Sequence, residues 1–154
     1  MNLEQRIEED YRAALKARES DKVDTLRLLR AAIKQVQIDR RTDLTDEDVI
    51  SILAKEGRKR QEAAAEYEKS GRADLARKER EELKFISAYL PEALTEGELK
   101  ELIAEAVRET HAADLKAMGA VMKAVMGKVK GRADGQLVNR LVREALAPPG
   151  PPSV

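Results

Sequence analysis

The chain has 154 residues, of which 38% are charged and 3% aromatic, with no Cys and a formal net charge of zero. That length holds one domain or two small helical ones. Zero Cys excludes disulfides, thiolate metal sites and a cysteine nucleophile, and so few aromatic rings argue against a stacking platform for single-stranded bases. Ala, Leu, Glu, Lys and Arg dominate and alternating Val-rich runs are scarce, so the expected class is all-α. There is no apolar signal-peptide core and no run of membrane-spanning length, so a soluble cytoplasmic protein is expected, with no membrane partner.

The spacing predicts a first helix over 2–18, with Leu3, Ile7, Tyr11, Ala14 and Leu15 inward. Ser20-Asp21 is read as a break. A second helix over 22–40 turns Val23, Leu26, Leu29, Ile33 and Val36 inward. Arg27, Arg30, Lys34 and Arg41 follow at steps of three, four and seven, a secondary basic stripe away from that face. Such a stripe either faces an anion or pairs with the abundant Glu, and pairing is the commoner outcome.

Thr42 to Thr45 reads as a turn, with Thr45 capping a third helix whose first turn holds Asp46, Glu47 and Asp48. Val49, Ile52, Leu53, Ala63, Ala64 and Tyr67 are its predicted inner side. Gly57 inside this helix costs about 1 kcal/mol relative to Ala, which points to close helix contact or a bend. Ser70-Gly71 ends it. A fourth helix runs over 72–89 with Leu75, Leu83, Ile86 and Leu90 inward, and Pro91 stops it. Thr95 to Glu98 has the pattern of a capping box for a fifth helix, whose apolar face is Leu99, Leu102, Ile103, Ala106 and Val107.

Two more helices follow. Leu115, Met118, Met122, Val125 and Val129 form the face of one, with Met118, Met122 and Met126 read as packing residues. Leu137, Val138, Leu141, Val142 and Ala145 form the face of the other. Between them lies Lys130-Gly131-Arg132-Ala133-Asp134-Gly135, where Gly131 can stop the first helix and Asp134 can cap the second. The expected organisation is a multi-helical domain over 1–90, a small three-helix tail domain over 95–147, and a disordered Pro-rich tail over 148–154.

Charge singles out the tail. From Leu115 to Leu146 there are seven Lys or Arg and two acids, a surplus of five positive charges in a neutral chain. Lys123, Lys128, Lys130, Arg132, Arg140 and Arg143 gather around a turn that leads into a helix N-terminus, a setting that suits phosphate. These six are the candidate nucleic-acid-binding residues, with Asp134 as the cap beside them. No catalytic constellation accompanies them. His111 is the only histidine and stands at a helix end; no Walker loop or dinucleotide fingerprint occurs, and no metal or cofactor is called for.

The sequence resembles the YqeY family, the stand-alone relatives of the C-terminal region of the B subunit of the glutamyl/aspartyl-tRNA amidotransferase. The match is carried by Thr25-Leu26-Arg27-Leu28-Leu29-Arg30-Ala31-Ala32-Ile33-Lys34, by Tyr89-Leu90-Pro91, and by Met118 to Lys123 running on to Lys130-Gly131-Arg132-Ala133-Asp134-Gly135-Gln136-Leu137-Val138-Asn139. It covers about residues 1–147. The subunit's turn is similar to Gly-Lys-Ala-Asn-Pro, and Arg132, Asp134 and Gly135 stand here for its Lys, Asn and Pro.

The resemblance implies a helical domain with a small helical tail that holds the body of a tRNA through phosphate contacts. It implies no active site. A carbon–nitrogen ligase activity with glutamine as amido donor would come by family transfer only, since the ATP-dependent part of the amidotransferase has no counterpart here. The alternatives are an adaptor that docks on an amidotransferase or an aminoacyl-tRNA synthetase, and a helix-turn-helix DNA binder built on Asp134 to Leu146. Oligomeric state is not legible.

Overall fold

The computed structural model describes residues 1–129 and 131–147; Lys130 and the Pro-rich 148–154 lie outside the described residues. Among the described residues there are seven α-helices, one 3-10 turn and no strand, as the periodicity requires. They are α1 (Leu3–Ala17), α2 (Ser20–Arg40), α3 (Asp46–Lys69), α4 (Ala73–Ser87), α5 (Glu96–Thr110), the 3-10 turn Leu115–Ala117, α6 (Met118–Val129) and α7 (Gly135–Leu146). The chain divides into two compact units, the first Met1–Pro91 and the second beginning at Glu92.

The first unit is α1 to α4 around one core. Ile7, Leu26, Leu29, Leu53 and Ile86 are fully buried in it, each contributing about 1.5–3 kcal/mol of transfer free energy. Asn2 caps α1 in a reciprocal box with Gln5. Thr45 does the same for α3 with Asp48, whose carboxyl is held below its ordinary range, first by the Thr45 backbone N–H. The break after α1 is at Arg18, in the left-handed region at φ 56°. Ser20 and Asp21 are already helical, so the expected break there is corrected. Leu15 is 45% exposed and does not join the core. Buried Ala76, outside the expected inner face of α4, lets that helix approach closely.

Arg60 carries a charge into the α3–α4 contact. Its side chain is 11% exposed and lies 2.5 Å from Glu56 and 3.4 Å from Glu82, themselves 15% exposed. Only the Glu56 contact has hydrogen-bond geometry; Arg60 Nε, the atom nearest Glu82, makes no hydrogen bond. Near the end of the unit Tyr89 is buried, and its hydroxyl donates to Asp10 Oδ2 at 2.5 Å.

The second unit packs α5, α6 and α7 around Leu99, Ile103, Val121, Val125, Val129, Val138, Leu141, Val142 and Leu146. Three expectations shift. Val121 and Leu146 are core residues, whereas Ala145 is exposed. Leu115 lies in the 3-10 turn and is 44% exposed, because α6 starts only at Met118. Met118 and Met122 pack on the core as expected, but Met126 is 40% exposed. Thr95 caps α5 by accepting from the Glu98 amide at 3.1 Å; only that half of the expected box forms. His111 is the left-handed C-cap of α5.

Candidate nucleic-acid interface

The tail cations sit on three different kinds of support. Lys123 is on the exposed side of α6, out of register with buried Val121 and Val125, and has no ion pair among the described residues. Arg143 is exposed in the last turn of α7, where a cation suits the helix dipole, and likewise has no ion pair among the described residues. Arg140 is exposed and only loosely paired, 3.9 Å from Glu96 and 4.0 Å from Glu144. These three guanidinium or ammonium groups keep most of their hydrogen-bonding capacity for a ligand.

Lys128 and Arg132 are used within the unit. The Lys128 ammonium donates to both carboxylate oxygens of Glu109 at 3.0 Å and lies 3.1 Å from Glu105. Its pKa is raised, first by the Glu109 bond, and that of Glu105 is lowered, first by the Lys128 bond. Lys128 therefore ties α6 to α5. Arg132 Nε donates to the Glu92 carbonyl at 2.9 Å, forty residues back in the chain. Lys130 lies outside the described residues.

Asp134 caps α7, its carboxylate accepting from the Gln136 amide at 3.3 Å. This cap is the one the sequence places beside the turn. A carboxylate already occupies the positive end of α7, so a phosphate arriving there would meet a negative charge.

The secondary stripe separates in the same way. Arg41 is the left-handed C-cap of α2 and leaves the stripe. Arg30 forms a bidentate pair with Glu8 at 2.6 and 3.0 Å and lies over the Tyr11 ring at 4.1 Å. Arg27 and Lys34 remain exposed, Arg27 with one loose contact to Asp24 at 3.9 Å. Nothing in the sequence marked the Arg132–Glu92 or Arg30–Glu8 pairs, whose partners are far apart in the chain. No group of acids and His suited to a metal ion occurs among the described residues, and no helix there is long and apolar enough to cross a membrane.

Comparison with known proteins places the chain. The family model described as Yqey-like protein matches residues 4–146. An uncharacterized protein of Schizosaccharomyces pombe is 31% identical over 91 residues, 59% of this chain and 74% of that one. The protein named Altered inheritance of mitochondria protein 41, mitochondrial, is 33% identical in Eremothecium gossypii, over 70% of this chain and 62% of the relative. Its namesake in Vanderwaltozyma polyspora is 34% identical, over 54% of this chain and 46% of the relative.

Both of the latter are named as mitochondrial, which overturns the cytoplasmic expectation. The physical reason is plain: lacking an apolar core argues only against a secretory signal, whereas mitochondrial leaders are amphipathic and basic. The match spans less than two thirds of those two relatives' length.

Proposed function

From the premise that this chain belongs to the Yqey-like protein family, we propose that it is a non-catalytic accessory module that holds folded tRNA through phosphate contacts of its tail unit. The observation that carries this reading is the cationic surplus of Leu115 to Leu146, of which Lys123 and Arg143 have no ion pair among the described residues. Arg140 adds a third, weakly paired charge. Such groups neutralise phosphates without reading bases, and they suit the shape of folded RNA rather than its sequence. Lys128 and Arg132 hold the unit together and contribute to the field without being the main contacts.

The test is the salt dependence of binding to folded tRNA. Each lost phosphate contact lowers the slope of log affinity against log salt by roughly 0.7 to 0.9. Lys123→Ala with Arg143→Ala lowers it by about 1.5, and Arg77→Ala on α4 leaves it unchanged. A wild-type slope in the double variant, or equal affinity for unstructured RNA of the same length, defeats this reading. The module is then an adaptor for an amidotransferase or an aminoacyl-tRNA synthetase.

A further inference from the structure

The first unit contains a polar cleft of about 440 Å³ between α1 and α2. Glu4, Glu8, Arg27, Arg30, Lys34 and Gln37 supply its polar lining, and Ile7, Ala31 and Ile33 its apolar part. Both acids are already engaged. Glu8 is gripped by Arg30, and Glu4 accepts from Gln37 Nε2 through both oxygens at 2.8 and 2.9 Å. The cations are not exhausted in the same way. Lys34 has no ion pair among the described residues, and Arg27 has only its loose contact with Asp24. With Arg30 on Glu8 and Arg27 only loosely beside Asp24, Lys34 and most of Arg27 face the cleft with charge to spare.

Tyr11 organises that surplus. Its ring carries the Arg30 guanidinium at 4.1 Å. Tyr11 and Glu8 together fix Arg30, one helical turn from Arg27 on α2. Charges held in place before a ligand arrives lose little side-chain entropy on binding, and planar guanidinium groups match phosphate oxygens. The volume lies within the range of ordinary small-molecule sites.

We propose that the α1–α2 cleft binds a small phosphorylated metabolite, its phosphoryl group held by Arg27 and Lys34 beside the fixed Arg30 and its organic part beside Ala31. This site is separate from the tail surface and does not depend on RNA binding there. Phosphate could also arrive as a stretch of RNA backbone, and the experiment distinguishes the two.

Pyrophosphate and ribose 5-phosphate are titrated into the full chain, with ribose as control, and followed by amide chemical shifts. Saturable shifts confined to α1 and α2 at up to about 10 mM ligand, absent with ribose, are expected. Arg27→Ala with Lys34→Ala weakens that affinity at least tenfold. Arg72→Ala leaves it unchanged. The proposal is overturned if neither phosphate gives saturable shifts, if the shifts map elsewhere, or if the double variant binds as wild type does. It is also overturned if the double variant loses tRNA affinity while wild type ignores both small phosphates; the cleft is then a track for RNA.

Discussion

Arg132 Nε donates to the carbonyl oxygen of Glu92 at 2.9 Å, and the Leu94 amide donates to the carbonyl of Arg132 at 2.8 Å. The two bonds run in opposite directions between the basic turn and the segment that precedes α5. The turn and residues 92–94 are therefore one piece of structure. The segment between the two expected domains has its C-terminal part anchored to the second unit.

Arg132→Ala removes one of these bonds and costs about 1 kcal/mol of stability. Arg132→Lys keeps the charge but loses the planar fork. Both variants should be cut faster between Glu92 and Thr95 in limited proteolysis, while neither lowers the RNA salt slope by a full phosphate contact. If proteolysis of both matches wild type, the bond contributes nothing to the order of that segment.

Tyr89 anchors the other side of the same region. Burial first, and then the bond to Asp10, pushes its hydroxyl pKa well above the ordinary value near 10. For an acid whose folded pKa is raised, the unfolded chain loses its proton first as pH rises. Stability from this group is full below the unfolded pKa and falls as pH climbs through about 10 toward the folded value. Tyr89→Phe costs about 1–2 kcal/mol at neutral pH and makes the alkaline decline shallower. Urea unfolding from pH 8 to 11 reads both effects, and parallel curves for the two proteins would contradict the assignment.

How far the sequence disclosed this arrangement depended on whether a signal was local. Thr45, Thr95 and Asp134 cap helices where short-range chemistry says they should, and the apolar spacing found most of the core. Leu15 and Ala145 fall on the expected faces, and Met126 reads as a packing residue, yet all three are exposed, because periodicity gives an angle around a helix and not the extent of the neighbour that covers it. The basic cluster was legible as charge. Its division into used and available cations was not, because Lys128 is bound by Glu105 and Glu109 and Arg132 by Glu92, over separations that no local pattern encodes.

Glu79 is a partly buried charge that costs stability. Its pKa is raised, first by desolvation and next by Glu82, with Arg60 and Lys78 offsetting part of this. The penalty is absent at acid pH, where folded and unfolded forms are both protonated. It grows as pH rises from the unfolded pKa toward the folded one. Glu79→Gln should therefore raise the melting temperature at pH 7, with the gain vanishing as the pH falls below about 4. A gain that persists unchanged into acid would assign the effect to packing and not to charge.

Gly57 yields the prediction that runs against its first reading. A glycine inside a helix and buried against a neighbour suggests a contact that tolerates no side chain. The distances say otherwise. A Cβ at this position would lie 3.4 Å from Leu83 Cδ1 and 3.7 Å from Ile86 Cγ2, within ordinary van der Waals contact. The backbone there is regular helix within α3, so alanine meets no conformational strain, and it removes freedom from the unfolded chain. Gly57→Ala should stabilise the protein by about 0.5–1 kcal/mol. Gly57→Leu must displace Leu83 and Ile86 and should destabilise by about 1–3 kcal/mol. Denaturant midpoints at constant m-value measure both. A destabilised alanine variant would mean that α3 and α4 approach more closely than these distances allow.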